Sequence, residues 1–168
     1  MLNTFDTAHY PNSYLNTSRI KPAGNMKSIA IITSGILPVP AVLGGAVENL
    51  IDFYIEENEQ HPECCFTIYS IYHPHVKIII KKQRSATYTF YHDKSLWYRF
   101  NKCIFKNTHK QFYYNYHLEF FLSKVLADIS KKNFDVIVLE NRPGFVIPAS
   151  KVTKAKLVLH LHNDLLNN

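Results

Sequence analysis

An α/β fold with a mainly parallel sheet is what this sequence predicts, and three observations carry the prediction. Short apolar runs rich in Ile and Val recur along the chain, in SIAIITSG, CCFTIYSIY, FDVIVLEN and AKLVLHLHND, as expected of strands covered on both faces. Between them lie segments whose apolar residues repeat at helical spacing. Gly- and Pro-containing loops separate the two kinds, so strands alternate with helices, the order that gives parallel pairing through crossovers.

Residues 1–25 are polar, rich in Asn, Thr, Ser and Pro and without a period, and read as a loose extension; either Met1 or Met26 could be the start. The domain runs from 26 to 168. SIAIITSG is its first strand. The uncharged stretch from Ser28 to Val47 after Lys27 superficially resembles a secretory leader, but Gly35, Pro38, Pro40, Gly44 and Gly45 break any continuous helix there. It reads instead as strand, loop and helix start. GAVENLIDFYIEEN is an amphipathic helix with Val47, Leu50, Ile51 and Tyr54 on its apolar face and Glu48, Asp52 and Glu56 elsewhere.

CCFTIYSIY is the second strand, and VKIIIKKQ reads as a third whose end is blunted by lysines. From Thr87 to Tyr116 the pattern is least regular, with a short helix expected around Leu96, Phe100 and Ile104. HLEFFLSKVLADISKKN is a clear helix, with Leu118, Phe121, Leu122, Val125, Leu126 and Ile129 in one stripe. FDVIVLEN is a buried strand, RPGFVIPASKVTK a turn with one helical turn, and AKLVLHLHND the last strand. No repeat or low-complexity tract is present.

With 168 residues, one ordinary domain is the prior. The net charge of +6 favours anionic partners without choosing among nucleic acid, phosphorylated molecules and acidic lipid. Three cysteines, Cys64, Cys65 and Cys103, make neither a disulfide framework nor metal-ligand spacing, so buried free thiols in a reducing, cytoplasmic compartment are expected.

Ligands of open parallel sheets sit outside the carboxyl ends of the strands, where strand order reverses. That rule selects three loops: Gly35 to Gly45, Glu140 to Gly144, and His160 to Asn163. Gly44 and Gly45 remove side chains where the chain enters a helix, which would let a phosphate or sugar hydroxyl approach backbone N–H groups. The plain alternative is a tight, closely packed turn. Neither GxGxxG nor a P-loop is present. Glu140, Asn141 and Arg142 put an acceptor, an amide and a guanidinium at a strand tip, suited to substrate hydrogen bonding, although Arg142 could instead pair with Glu140 or be solvated. His160, His162 and Asp164 share one parity, but no third ligand has sequence support and no metal is expected. His73 and His75 form an equally uninformative pair.

MKSIAIITSG, a Pro-containing loop, GGAVENL, FDVIVLENRP and KLVLHLHND, in this order, resemble the N-terminal half of a GT-B glycosyltransferase of family four, over about Met26 to Asp164. The resemblance implies a Rossmann-like three-layer sandwich that binds the acceptor in a retaining, nucleotide-sugar-dependent hexosyltransferase of envelope or extracellular polysaccharide or glycolipid synthesis. No cofactor is implied beyond the nucleotide-sugar donor. By similarity, Gly44 and Gly45 face the donor diphosphate and acceptor. His162 would be the catalytic histidine closing on the transferred sugar, with His160 deeper and structural. Asn141 and Arg142 lie along the acceptor groove, and Glu48 is a further substrate-binding candidate. The partners implied are a saccharide or lipid-linked saccharide acceptor and a C-terminal nucleotide-sugar domain or chain.

The nucleotide-sugar domain is expected to be absent from this chain, and the chain is expected to be inactive alone. Trp97, Tyr98, Arg99, Phe100 and Lys102 could settle at a headgroup boundary on the inner face of the cell membrane, or simply pack on the core. No nucleic-acid module is legible, and no such partner is expected. Two alternatives remain: a non-catalytic subunit that pairs with a separate nucleotide-binding chain, and an α/β phosphate- or metal-binding enzyme using His160, His162 and Asp164.

Overall fold

A computed structural model describes residues 26–80, 86–91 and 116–162. The strands are β1 (Lys27–Ile32), β2 (Cys64–Ile71), β3 (Ala86–Tyr91), β4 (Val136–Glu140) and β5 (Lys156–His160). The helices are α1 (Ala46–Gln60), α2 (Val76–Ile80), α3 (Tyr116–Ile129) and α4 (Val146–Ser150), the last preceded by a 3-10 turn at Pro143–Phe145. All pairings are parallel and the sheet order is β3-β2-β1-β4-β5, a Rossmann-like α/β arrangement. The chain builds outward from β1 to β3, then returns to lay β4 on the other side of β1. The strand order therefore reverses between β1 and β4.

The pleat sends alternate residues to opposite faces, and the core divides accordingly. On one face Ile31, Ile68, Tyr88 and Phe90 pack with Ile51 and Ile55 of α1 and Val76 and Ile80 of α2. On the other, Ala30, Ile32, Tyr69, Ile137 and Leu139 pack with Phe121, Leu122, Val125 and Ile129 of α3 and with Phe145. The expected α3 stripe is thus the buried one. Tyr69 reaches through this layer, its hydroxyl donating to Asp128 Oδ2 at 2.7 Å, where Lys132 Nζ also binds at 2.6 Å.

Three expectations need correction. Val76–Ile80 is a single helical turn rather than a strand: Val76 and Ile80, four apart, are buried, while Ile78 is 68% exposed. An isoleucine run fits either state, and here the i, i+4 pairing decides it. The third strand is instead ATYTFY, inside the stretch expected to be irregular, with strict inward alternation of Ala86, Tyr88 and Phe90. The apolar face of α1 is also rotated. Its buried residues are Glu48, Ile51, Ile55 and Asn58, whereas Tyr54 is exposed. Asn58 is admitted because its amide serves the next turn, accepting from the N–H of Glu63 and Cys64 at 3.1 and 3.0 Å and donating to Cys64 O at 2.9 Å.

Cys64 and Cys65 are free and half-buried rather than fully buried. The expected helix around Leu96, Phe100 and Ile104, the aromatic stretch from Trp97 to Lys102, Cys103 and Asp164 lie outside the described residues. Among the described residues no helix is long and apolar enough to cross a membrane.

Candidate functional site

Parallel pairing of β4 with β5 aligns Val136 with Lys156 and carries that register to Glu140 opposite His160 at the carboxyl edge. Both side chains share one sheet face, and His162, two residues on, keeps their parity. The result is a three-residue cluster. Glu140 is 1% exposed; His162 Nε2 lies 2.8 Å from its Oε2, and His160 Nδ1 lies 3.3 Å from the same oxygen. A carboxylate can only accept, so each ring nitrogen facing it carries a hydrogen. An uncompensated carboxylate this deeply buried would cost several kcal/mol, roughly, and the two imidazoles supply the compensation. The rings themselves are stacked obliquely, with centroids 4.0 Å apart.

The turn that holds this cluster is set by Asn141. It sits at φ 53, the left-handed region that Asn tolerates better than most residues. Its N–H donates to His160 O at 2.9 Å and its Oδ1 accepts the His162 N–H at 2.8 Å, tying the ends of β4 and β5 together. Arg142 turns away from Glu140 and donates from Nε to Ser34 O at 3.0 Å, in the loop after β1. Burial pushes its guanidinium below the ordinary value, though an arginine stays charged. The loops after β1 and β4, flanking the reversal of strand order, are joined by this bond.

The glycine loop is a separate group. Gly44 has φ 77 and open space where a Cβ would be, while its N–H is turned inward to Ala41 O at 3.0 Å. Gly45, at φ 108, is the N-cap of α1 and has no side-chain cap. A Cβ there would collide with the Glu48 carboxylate and with Leu37. Glu48 is 4% exposed and stands in the first turn of α1, where a negative charge is favoured by the helix dipole. A phosphate reaching Gly45 must therefore displace a carboxylate already in place. Among the described contacts, none joins Gly44, Gly45 or Glu48 to the Glu140 cluster.

Of the residues expected from the sequence, Asn141 and His162 come together with His160, and Arg142 bridges from the same turn to the first loop. The expectation that His160 lies deeper than His162 is reversed, with side chains 38% and 20% exposed. Glu140 at the centre of the cluster was expected only as a polar strand tip. Nothing local in the sequence signals that pairing, because it follows from the register of β4 on β5. His117, near the start of α3, has Nε2 3.0 Å from Gly35 O and was not anticipated at all. Beside the cluster an open cavity of about 330 Å³ lies between Tyr54 and the sheet, lined by Ile29, Ile31, Phe66, Val138 and Val158, with Glu140 and His160 its polar lining.

No family model, curated protein or solved structure matches the chain.

Proposed function

We propose that this domain is the acceptor-binding half of a retaining glycosyltransferase that uses a nucleotide-sugar donor, in envelope or extracellular polysaccharide or glycolipid synthesis. The observation that carries the reading is the position of His162: it stands at the carboxyl edge after β5, bonded to Glu140 of β4, the strand that flanks the reversal of strand order where open parallel sheets take ligands. With Nε2 held by the buried carboxylate, the imidazole is fixed in tautomer and orientation, as a group that meets a sugar hydroxyl must be.

Asn141 fixes the His162 backbone, and Arg142 locks the first loop against the same edge. The uncapped first turn of α1 is the source of backbone donors for the charge that grows on a departing diphosphate, with Glu48 moving aside. A second domain, bringing the nucleotide sugar, is required to close the cleft and exclude water. The acceptor is a saccharide or a lipid-linked saccharide, and the domain works in the cytoplasm at the inner face of the membrane.

The test is sugar transfer by the chain fused to a compatible C-terminal nucleotide-sugar domain. His162→Ala is expected to lower kcat at least about a hundredfold, the scale of losing a positioned polar group at the reacting centre. A fused protein that binds donor yet transfers sugar equally well with and without His162 overturns the reading.

A further inference from the structure

We propose that Glu140, His160 and His162 form a binding site for a single divalent transition-metal ion of the zinc class. The proposal goes beyond the glycosyl-transfer reading and does not rest on it. One potential ligand atom from each residue lies within 4.8 Å of the other two, and the anionic member is almost completely buried. Two imidazoles with one carboxylate is a donor set that suits zinc and its neighbours and leaves a position open, whereas magnesium and calcium prefer oxygen.

Two of the three ligand spacings lie near those of a tetrahedral ion, and the third, between the two ring nitrogens, is within 4.8 Å. Tetrahedral ligands about 2.0 to 2.1 Å from zinc stand about 3.3 Å from one another. Glu140 and His160 are already at 3.3 Å, and the 2.8 Å hydrogen bond from His162 has to lengthen by about 0.5 Å. A bound ion replaces the ring hydrogens that now face the carboxylate, so the contacts that hold the metal-free cluster are those the metal takes over. The site is also anchored from behind. Asn141 fixes the His162 backbone, and strand pairing fixes the other two residues, so the ligands are preassembled by backbone rather than by flexible loops. Neither histidine needs a third sequence-local partner, because the third ligand arrives from the neighbouring strand.

An ion on Nε2 would take the nitrogen that the transfer reading gives to the Glu140 carboxylate, and a binding experiment without sugar keeps the two readings separable. The full chain, stripped with chelator, is titrated with Zn²⁺ by calorimetry and with Co²⁺ by visible absorption. The expected result is one equivalent bound, with tetrahedral Co²⁺ bands lacking a thiolate contribution. Glu140→Gln, His160→Ala and His162→Ala should each weaken binding more than about tenfold. Two controls, His73→Ala with His75→Ala and Cys64→Ser with Cys65→Ser, should bind as the unaltered chain does. His160→Ala guards against misfolding, since His160 is on an edge strand and partly exposed, and circular dichroism checks each variant. Failure of the unaltered chain to bind an equivalent, or undiminished binding by both Glu140→Gln and His160→Ala, overturns the proposal.

Discussion

Asn141 combines two demands that few residues meet together: a left-handed backbone at φ 53 and a side-chain acceptor for the His162 N–H. Separating the two gives a prediction. Asn141→Gly keeps the backbone conformation and loses the acceptor, at a cost of about 1 kcal/mol. Asn141→Ala loses both and should be less stable than the glycine variant by about a further 1 kcal/mol. Urea denaturation of the pair measures this; an alanine variant as stable as the glycine one would mean that the turn does not hold its left-handed conformation in solution. Legibility ends at this same residue. The polarity of Glu140-Asn141-Arg142 could be read from the chain, but that Arg142 would reach Ser34 and leave Glu140 to two histidines could not.

Helix α1 shows how an element's pattern can mislead by one position. Its sequence offers a stripe through Val47, Leu50, Ile51 and Tyr54, but the face that meets the sheet is Glu48, Ile51, Ile55 and Asn58. Polar members of that face each answer a local backbone or charge requirement, which hydropathy alone does not register. Asp52 flanks it, accepting the Ala41 N–H at 2.8 Å through Oδ2 while its buried Oδ1 has no hydrogen-bond partner among the described residues. Burial raises its carboxyl above the ordinary 3.8, the Ala41 bond opposes this, and Glu56 one turn on adds repulsion. The folded state therefore keeps a proton that the unfolded chain has already released. That contribution to stability is complete below the unfolded value and is lost as pH rises through the folded one. Asn at this position has no proton to lose, so the stability of Asp52→Asn relative to the unaltered protein should increase from about pH 4 upward and then level off. Urea melts across that range check it, and a difference that does not vary with pH would show that Asp52 titrates normally.

At the scale of the molecule, two cores share one sheet, and coverage of the sheet is uneven. Helices α1 and α2 pack over β1, β2 and β3, leaving Val158 of β5 37% exposed on the same face beside the cavity. The opposite face is filled, with Ile137 and Leu139 fully buried. Two substitutions on neighbouring strands should therefore differ sharply. Ile137→Ala leaves a cavity beneath α3 and should cost about 2 to 4 kcal/mol, whereas Val158→Thr should cost less than about 1 kcal/mol. Thermal melting compares them, and equal losses would mean that the β5 face is covered in solution.

The sequence by itself determined the alternation of strands and helices, the α3 stripe, the strand that ends at Glu140 and the loops that follow the strands at the carboxyl edge. These are local properties, written in periods of two and 3.6 residues and in the positions of Gly and Pro. Tertiary structure decided what depends on partners distant in the chain. Strand pairing chose ATYTFY over VKIIIKKQ as β3, packing turned Glu48 inward beneath Gly45, and the register of β4 on β5 set Glu140 between His160 and His162. A side chain's period is fixed by its own backbone, but its neighbour across a parallel sheet is fixed by a crossover and a register that no short window of sequence contains.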